Sequence, residues 1–245
     1  MAKRGAEPKR QRRERGSIDP DDIVAGAFEL AEQVSIDNLS MPMLGKHLGV
    51  GVTSIYWYFR KKDDLLNEMT DRAVRQYLVS VPVPQVTGWK ETLAAFARTM
   101  RSTFLANPIL TDLILIRSTL SPRHGQAGAQ QIEKVIAGLV AAGLPLSDAY
   151  DIFSAVQLHV RGSVVLARLG DKAKAADPDS HAYYEDLEIT HETTPLLAEA
   201  TSHGRTGGAP DEANFEYGLA CILDRAAALL AAGQPPKRGR VRVGA

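Results

Sequence analysis

The stretch that decides the fold runs from residue 48 to residue 66 and reads LGVGVTSIYWYFRKKDDLL. Gly49 lies where a glycine would end a helix, and a new periodic segment begins within about three residues. Two short helices joined by so tight a turn form a helix-turn-helix. We therefore expect a DNA-reading motif over residues 40–60.

The helix before this turn has a start signal of its own. Ser40 is a favourable N-cap, and Pro42 falls in the first turn, where proline is tolerated. Met41, Leu44 and Leu48 then recur at helical spacing and should face inward. The segment is therefore expected to be an amphipathic helix that packs beneath the next one.

The helix after the turn has two unlike faces. At 100° per residue, Ile55 and Phe59 point together toward a core. Thr53, Trp57 and Arg60 point the opposite way. A helix completes a turn in 3.6 residues, so the consecutive large residues of the run IYWYF cannot all lie in a core. Some of them must project outward beside the cations, which favours a binding surface over an aromatic core stripe.

A recognition helix in the major groove usually brings its first residues to the base edges. This assigns Val52, Thr53 and Tyr56 to base contact. Hydroxyls and cations on the flanks and after the helix can fix the register by holding phosphates. The other candidates on the exposed side are Trp57, Tyr58, Arg60, Lys61 and Lys62.

Helical signals dominate the rest of the chain. Asp19 as N-cap and Pro20 at the first helical position start a helix before the motif. No stretch alternates apolar and polar residues between hairpin signals, so we expect an all-α fold. The run VPVP at 81–84 separates two parts. Later helices are expected at 63–79, 88–106, 108–119, 124–142, 147–174, 190–202 and 211–232.

The chain has no net charge at pH 7, but its cations are concentrated in sequence. The first fifteen residues hold seven lysines and arginines against two glutamates, and residues 38–62 hold four cations and no acidic residue. A specific DNA-binding protein needs such a local basic footprint. The basic arm 1–16 could reach a minor groove or be a solvated, disordered end. Both interpretations stay open, as they do for the basic tail 234–245.

Several classes of protein are disfavoured. Cys221 is the one cysteine, which excludes a disulfide within the chain, a thiolate zinc cluster and a Cys-x-x-Cys pair. No apolar run approaches the roughly 20 residues that cross a bilayer, and no signal peptide is present, so a cytoplasmic protein is expected. The chain lacks G-x-S-x-G, H-E-x-x-H and a phosphate loop. We therefore expect no enzyme, cofactor or metal site. A helical architectural or protein-interaction module is the alternative to a sequence-specific regulator.

The residues quoted above, together with Leu39 and Ser40, resemble the signature of the TetR family of transcriptional regulators. The resemblance is strong over residues 18–68. It returns at 215–223, where FEYGLACIL is similar to the final helix of the tetracycline-repressor-like branch. It implies an N-terminal three-helix helix-turn-helix DNA-binding domain, here 17–80, joined to a larger helical ligand-binding and dimerisation domain, here 85–233.

The function that the resemblance implies is a homodimeric, ligand-responsive repressor, released from a palindromic DNA operator by a small molecule. An activator stays open as an alternative. The resemblance also implies base contacts by Val52, Thr53 and Tyr56. Phosphate contacts would come from Ser54, Tyr58 and Lys62, with Ser40 beside the DNA backbone. Two departures from the family weaken direct readout. Gly51 offers no capping side chain, and Val52 can contact only a thymine methyl.

The resemblance further implies a ligand cavity framed by helices between residues 88 and 170. Polar residues on otherwise apolar helices, and aromatic residues beside them, are its markers. The candidates are Phe104, Arg117, Phe153, Gln157, His159 and Arg161. Satisfied core or interface hydrogen bonds are the competing explanation for the polar members, and His159 is disfavoured as a metal ligand.

Dimerisation is expected to use two helices. The helix 147–174 is apolar almost all round, so it should be buried on several sides. By the resemblance, this helix and the last one form a four-helix bundle with their copies in a partner. The residues that suit this role on the last helix are Leu219, Ile222, Leu223, Leu229 and Leu230.

Overall fold

The structure is a computed structural model that describes residues 18–81, 88–117, 122–177, 188–204 and 210–233. These residues form helices and contain no strand, which confirms the expected all-α fold. The predicted arm 1–16, most of the linker 81–84 and the tail 234–245 lie outside the described residues. Within the described part, no helix is long and apolar enough to span a membrane.

The order of the helices follows the sequence pattern closely. The segment expected as one helix at 108–119 is a short α-helix followed by a π-helix, which we call π1. The helix expected at 190–202 begins later, where Pro195 takes an N-terminal position. The helices are α1 Pro20–Asn38, α2 Met41–Leu48, α3 Val52–Tyr58, α4 Lys62–Ser80, α5 Trp89–Ala106, α6 Pro108–Leu110, π1 Thr111–Ile116, α7 Pro122–Ala141, α8 Leu146–Ala176, α9 Pro195–Ser202 and α10 Glu212–Gly233.

The predicted caps of the first two helices are confirmed. Asp19 Oδ1 accepts the main-chain N–H of Asp21 at 2.8 Å. Ser40 Oγ accepts the N–H of Met43 at 3.4 Å. Gly49 ends α2 in the left-handed conformation with φ 70°, which glycine adopts without a steric penalty.

α1 contains a break that the sequence did not reveal. Ser35 has φ 68° and ψ 162°, a backbone conformation that is essentially restricted to glycine. The residues after it form a tight turn in which the N–H of Leu39 bonds to the oxygen of Ser35 at 3.1 Å. The break turns the chain toward Ser40 and the start of α2.

The first four helices pack around a small apolar core. α1 contacts α2 and α4, and α2 contacts α3. The buried residues at the centre of this unit include Ile23, Leu44, Ile55, Leu65 and Met69. Their burial fixes α3 on the outside of the unit, which leaves its other face to solvent.

The larger part is organised around α8, which contacts α5, α7, α10 and π1. Arg98 of α5 forms a two-point ion pair with Glu216 of α10, at 2.7 and 2.6 Å. Lys90 of α5 pairs with Asp224 of α10 at 2.8 Å. The two parts of the chain meet where α4 contacts α6, π1 and α7, and where α1 contacts α6.

Within the single chain, α8 is buried on one side, and the expected burial of its other side against a partner stays a prediction. One face packs inward, but Leu158 is 72% exposed, and Leu166 and Leu169 are also exposed. The last helix differs from expectation. Leu219, Leu223 and Leu230, expected to face a partner, are buried within the chain itself, and Ile222 and Leu229 are half-buried. These leucines pack against the chain's own helices because α10 lies directly on α8 and α5.

Candidate nucleic-acid interface

The recognition helix α3 has the two faces that its sequence predicts. Ile55 is fully buried and Phe59 is buried, although Phe59 follows the helix in extended conformation. Thr53 and Arg60 are exposed, and Trp57 is 84% exposed. So large an apolar side chain in solvent marks a contact surface when cations lie beside it.

The flanks of α3 carry partly exposed groups. Tyr56 and Tyr58 are both exposed, so their hydroxyls and ring edges are open to a ligand. Val52 and Ser54 are half-buried. The start of the helix has no side-chain cap, as expected from Gly51, and the N–H of Ser54 bonds to the main-chain oxygen of Gly51 at 2.9 Å.

A glycine in α2 that sequence reasoning missed holds the two helices close. Gly45 is buried, and a Cβ at this position would lie 3.2 Å from the main-chain oxygen of Val50. The N–H of Val50 bonds to the oxygen of Gly45 at 3.0 Å. The close approach fixes the angle at which α3 leaves the turn. The available signal was a small residue one helical turn before Gly49.

The cations after α3 differ in their surroundings. Arg60 and Lys61 are exposed, and the N–H of Lys61 bonds to Asp64 Oδ2 at 3.2 Å as α4 begins. Lys62 is half-buried, and its Nζ donates to the main-chain oxygen of Asp37 at 3.0 Å. Lys62 therefore links the start of α4 to the end of α1 in this structure.

A second contact between helices of this unit was also missed. His47 Nε2 of α2 lies 3.1 Å from Glu29 Oε2 of α1. The two residues are 18 positions apart, so helical spacing gives no signal for the pair. The contact helps to hold α2, and with it the turn, against α1.

The expected ligand-binding residues differ in their surroundings. Phe104 is buried and stacks on Tyr77 of α4, with ring centroids 4.8 Å apart. Arg117 also contacts α4, where its Nη1 and Nη2 lie 3.4 Å from side-chain oxygens of Asp63 and Asn67 respectively. Its Nε is buried and has no partner. Arg117 therefore lies at the junction of the two parts of the chain.

His159 is engaged in helix packing. Its Nε2 donates to the main-chain oxygen of Phe215 at 2.8 Å, and the two rings stack with centroids 5.0 Å apart. Phe153 is buried in the same helix, whereas Arg161 is exposed. Gln157 stands out because its Oε1 is buried without a hydrogen-bond partner. Of the polar candidates, Gln157 and Arg117 each have a buried side-chain atom without a hydrogen-bond partner.

Tyr77 of α4 has its phenol in surroundings of low polarity. Burial raises the pKa of its phenol to about 12, and the nearby charge of Arg161 opposes this shift. The stack of Tyr77 on Phe104 lies where α4 meets the larger part of the chain.

An exposed recognition helix, a left-handed glycine turn and flanking cations on an all-helical scaffold define a helix-turn-helix DNA-binding protein. Residues 23–69 match the family described as bacterial regulatory proteins, tetR family, and residues 81–229 match the tetracyclin repressor-like C-terminal domain. The second match alone covers more than half of the chain, and the chain belongs to the TetR family. Regulators of this family bind DNA to control transcription and are not enzymes.

The chain is also similar to individual proteins of this family. The HTH-type transcriptional repressor Rv1353c of Mycobacterium tuberculosis is 64% identical over 222 residues, which cover 91% of this chain and 85% of that protein. The tetracycline repressor protein class A from transposon 1721 of Escherichia coli is 29% identical, over 84% of this chain and 89% of that protein. The structure of Streptomyces coelicolor ActR in complex with actinorhodin has a TM-score of 0.62 at 22% identity, covering 90% of this chain and 100% of that chain.

Proposed function

We propose that this chain is a ligand-responsive repressor that binds a palindromic operator as a homodimer and leaves it when a small molecule binds. The observation that carries the proposal is the exposed face of α3, where Trp57 and two tyrosines lie in solvent next to cations. Repression is supported by a repressor that is 64% identical.

At the operator, the start of α3 would enter the major groove. Thr53 and Tyr56 would contact base edges, and Val52 a thymine methyl. The residues that would hold phosphates are Ser40, Ser54, Tyr58, Arg60, Lys61 and Lys62. Because Val52 cannot form a hydrogen bond to a base, part of the specificity would come from DNA shape.

A homodimer is supported by the exposed apolar side chains of α8 and α10. Leu158 and Leu166 of α8 are exposed, and Tyr217 of α10 is 74% exposed. Large apolar side chains exposed on two neighbouring helices are typical of a protein–protein interface. A two-fold axis through it would present two copies of α3 to inverted half-sites about one helical turn apart.

A small-molecule effector is supported by one orphaned polar atom. Gln157 Oε1 is buried without a partner, which costs about 1–3 kcal/mol unless a ligand donates a hydrogen bond. ActR was solved with actinorhodin, and a TetR of Acinetobacter baumannii with minocycline. We propose that an effector occupies the interior of the larger part, beside Gln157, Phe104 and Phe153.

Operator binding is tested by selecting duplexes from a random library and comparing affinities. The selected site should contain inverted repeats and bind at least about a thousandfold more tightly than random DNA. Tyr56→Ala should lower affinity for the selected site about tenfold and relax its specificity. Equal affinity for selected and random duplexes would support an architectural protein instead.

Phosphate contacts are tested by salt dependence with a matched pair of lysines. Lys61→Ala should weaken binding to all duplexes and lower the salt slope by about one. Lys174→Ala removes an exposed lysine in the last turn of α8 that is not among the proposed phosphate contacts, and it should leave the slope unchanged. The sign of regulation follows from transcripts in a deletion strain, which should rise for a repressor and fall for an activator.

The effector is tested by thermal unfolding and operator affinity together. Minocycline and actinorhodin are the first probes, followed by metabolites made or exported by products of neighbouring genes. A true effector raises the unfolding temperature of the wild type, does so less for Gln157→Leu, and lowers operator affinity by about 1–3 kcal/mol. If none of these compounds changes either quantity, the sensor function is contradicted.

A further inference from the structure

A buried acid lies at the junction of the two parts of the chain. Asp112, in the first turn of π1, is 3% exposed. Its carboxylate receives two hydrogen bonds from Arg168 of α8, Nε to Oδ1 at 3.0 Å and Nη2 to Oδ2 at 2.7 Å. Lys172, one turn further along α8, lies 3.0 Å from Oδ1. Two cations therefore compensate one buried carboxylate.

Lys172 also reaches the DNA-binding part of the chain. Its Nζ donates to Asp37 Oδ2 in the last turn of α1 at 2.8 Å. Hydrogen bonding to Lys172 is the main cause that lowers the pKa of Asp37. A single ammonium group thus lies between one carboxylate from π1 and one from α1.

Asp37 is connected in turn to the residues that follow the recognition helix. Its main-chain oxygen accepts the Nζ of Lys62, the first residue of α4, at 3.0 Å. Asp37 lies two residues after Ser35, whose backbone angles interrupt α1. A displacement of Asp37 would therefore move the support of Lys62, a proposed phosphate contact.

Asp112 lies in a segment whose hydrogen bonding differs from that of an α-helix. The N–H of Arg117 bonds to the oxygen of Asp112 at 2.9 Å, five residues back. A π-helix is rare and is often located at functional sites. A change of π1 toward α-helical bonding would shift the Asp112 carboxylate, and Arg168 and Lys172 would follow it.

We propose that Asp37, Lys172 and Asp112 form an electrostatic latch, through which the end of α8 orients α1 and the DNA-binding unit. The latch rests on the proposed DNA-binding function and deepens it, because it assigns a route by which π1 and α8 control operator affinity. The closed latch holds α1 and Lys62 in the arrangement that binds DNA. Opening it leaves this unit free to move relative to α8, which lowers operator affinity through lost preorganisation.

The central variant is Lys172→Met, which opens the latch but leaves Asp112 paired with Arg168, so no buried carboxylate is orphaned. Lys172→Arg keeps the charge. Lys174→Met is the matched control, since it removes an exposed lysine two residues further along the same helix. Asp37→Asn opens the latch from the other side and keeps the main-chain oxygen that holds Lys62.

The first measurement is amide hydrogen exchange in the free full-length protein. Lys172→Met and Asp37→Asn should both speed exchange in π1 and in the last turn of α1, whereas Lys172→Arg and Lys174→Met should match the wild type. The decisive variant is Asp37→Asn, because the substitution is in α1 and its effect is measured as amide exchange in π1. If exchange in π1 is the same as in the wild type, the latch is overturned whether or not the protein binds DNA.

The second measurement is affinity for the duplex selected from the random library. Lys172→Met should bind about two- to tenfold more weakly, with an unchanged salt slope, because Lys172 contacts no phosphate. A lowered slope would mean that Lys172 touches DNA directly, and an unchanged affinity would mean that the pair is only structural. Either result overturns the latch. If the wild type selects no duplex, the proposed function fails, and the exchange experiment still decides whether the two parts are coupled.

Discussion

The imidazole of His159 on α8 occupies the space that a side chain at position 218 of α10 would need. A Cβ built on Gly218 would overlap the His159 ring, which is held in place by its hydrogen bond to the oxygen of Phe215. The absence of a side chain at Gly218 therefore sets the distance between α8 and α10. These are the helices whose exposed faces we propose as the dimer interface.

Gly218→Ala should destabilise the protein by about 1–3 kcal/mol, because either His159 must leave Phe215 or α10 must move away from α8. The measurement is urea unfolding, with the dimer population followed by native mass spectrometry. Gly138→Ala is the matched control, since nothing lies within 4 Å of a Cβ at this helical position. This control should raise the free energy of unfolding by about 0.4–1 kcal/mol. Equal effects of the two substitutions would contradict the close packing of His159 on α10.

Ser35→Gly should stabilise the protein by about 1 kcal/mol. A residue with a Cβ is strained at φ 68° and ψ 162°, and glycine removes this strain at a smaller cost in chain entropy. Ser35→Ala retains a Cβ and should bring no such gain. Thermal unfolding of the two variants decides, and a glycine variant no more stable than the alanine variant would show that Ser35 is relaxed.

Trp57→Ala should lower DNA affinity without lowering stability, whereas Ile55→Ala on the same helix should lower stability. Trp57 is exposed, so its removal should change stability by no more than about 0.5 kcal/mol. It should weaken binding to the selected duplex about tenfold. Ile55 is fully buried, and its truncation should cost about 2–5 kcal/mol of stability. Urea unfolding and gel-shift titration give the two quantities. Loss of stability in Trp57→Ala would place its side chain in the core.

The sequence predicts well those parts of the fold that are determined by residues close together in the chain. Asp19 and Ser40 cap their helices and Gly49 ends α2, because each signal acts within a few residues of itself. The two faces of α3 follow from helix geometry in the same way, since the angle between Ile55 and Trp57 is fixed by the backbone.

Contacts between distant segments are what the sequence does not reveal. The periodicity of α10 shows that Leu219 and Leu223 are buried, but a helix with apolar residues on several faces does not state which neighbour covers each one. The ion pair of Lys172 with Asp37 joins residues 135 positions apart and has no local signal. The break at Ser35 has no sequence signal either, because a serine is common in helices and only the backbone angles of this residue are unusual. The exposed groups of α3 were predictable, whereas the contacts by which the rest of the protein holds α3 were not.

Alkaline unfolding should report the environment of Tyr77. Its pKa is raised to about 12 in the folded protein by burial, whereas an unfolded tyrosine ionises near 10. A group with a raised pKa contributes stability that is complete below the unfolded value and is lost as pH rises through the folded one. The wild type should therefore lose about 2–3 kcal/mol from this residue between about pH 10 and pH 12.

Tyr77→Phe keeps the stack on Phe104 but has no proton to lose, so it should lack this part of the alkaline loss. The difference in unfolding free energy between wild type and variant should be nearly constant below about pH 9 and grow in favour of the variant above about pH 10. Tyr217→Phe removes the hydroxyl of an exposed tyrosine and should follow the wild type. Parallel curves for all three proteins would mean that the Tyr77 phenol is open to water, which would contradict close contact between α4 and α5 at this point.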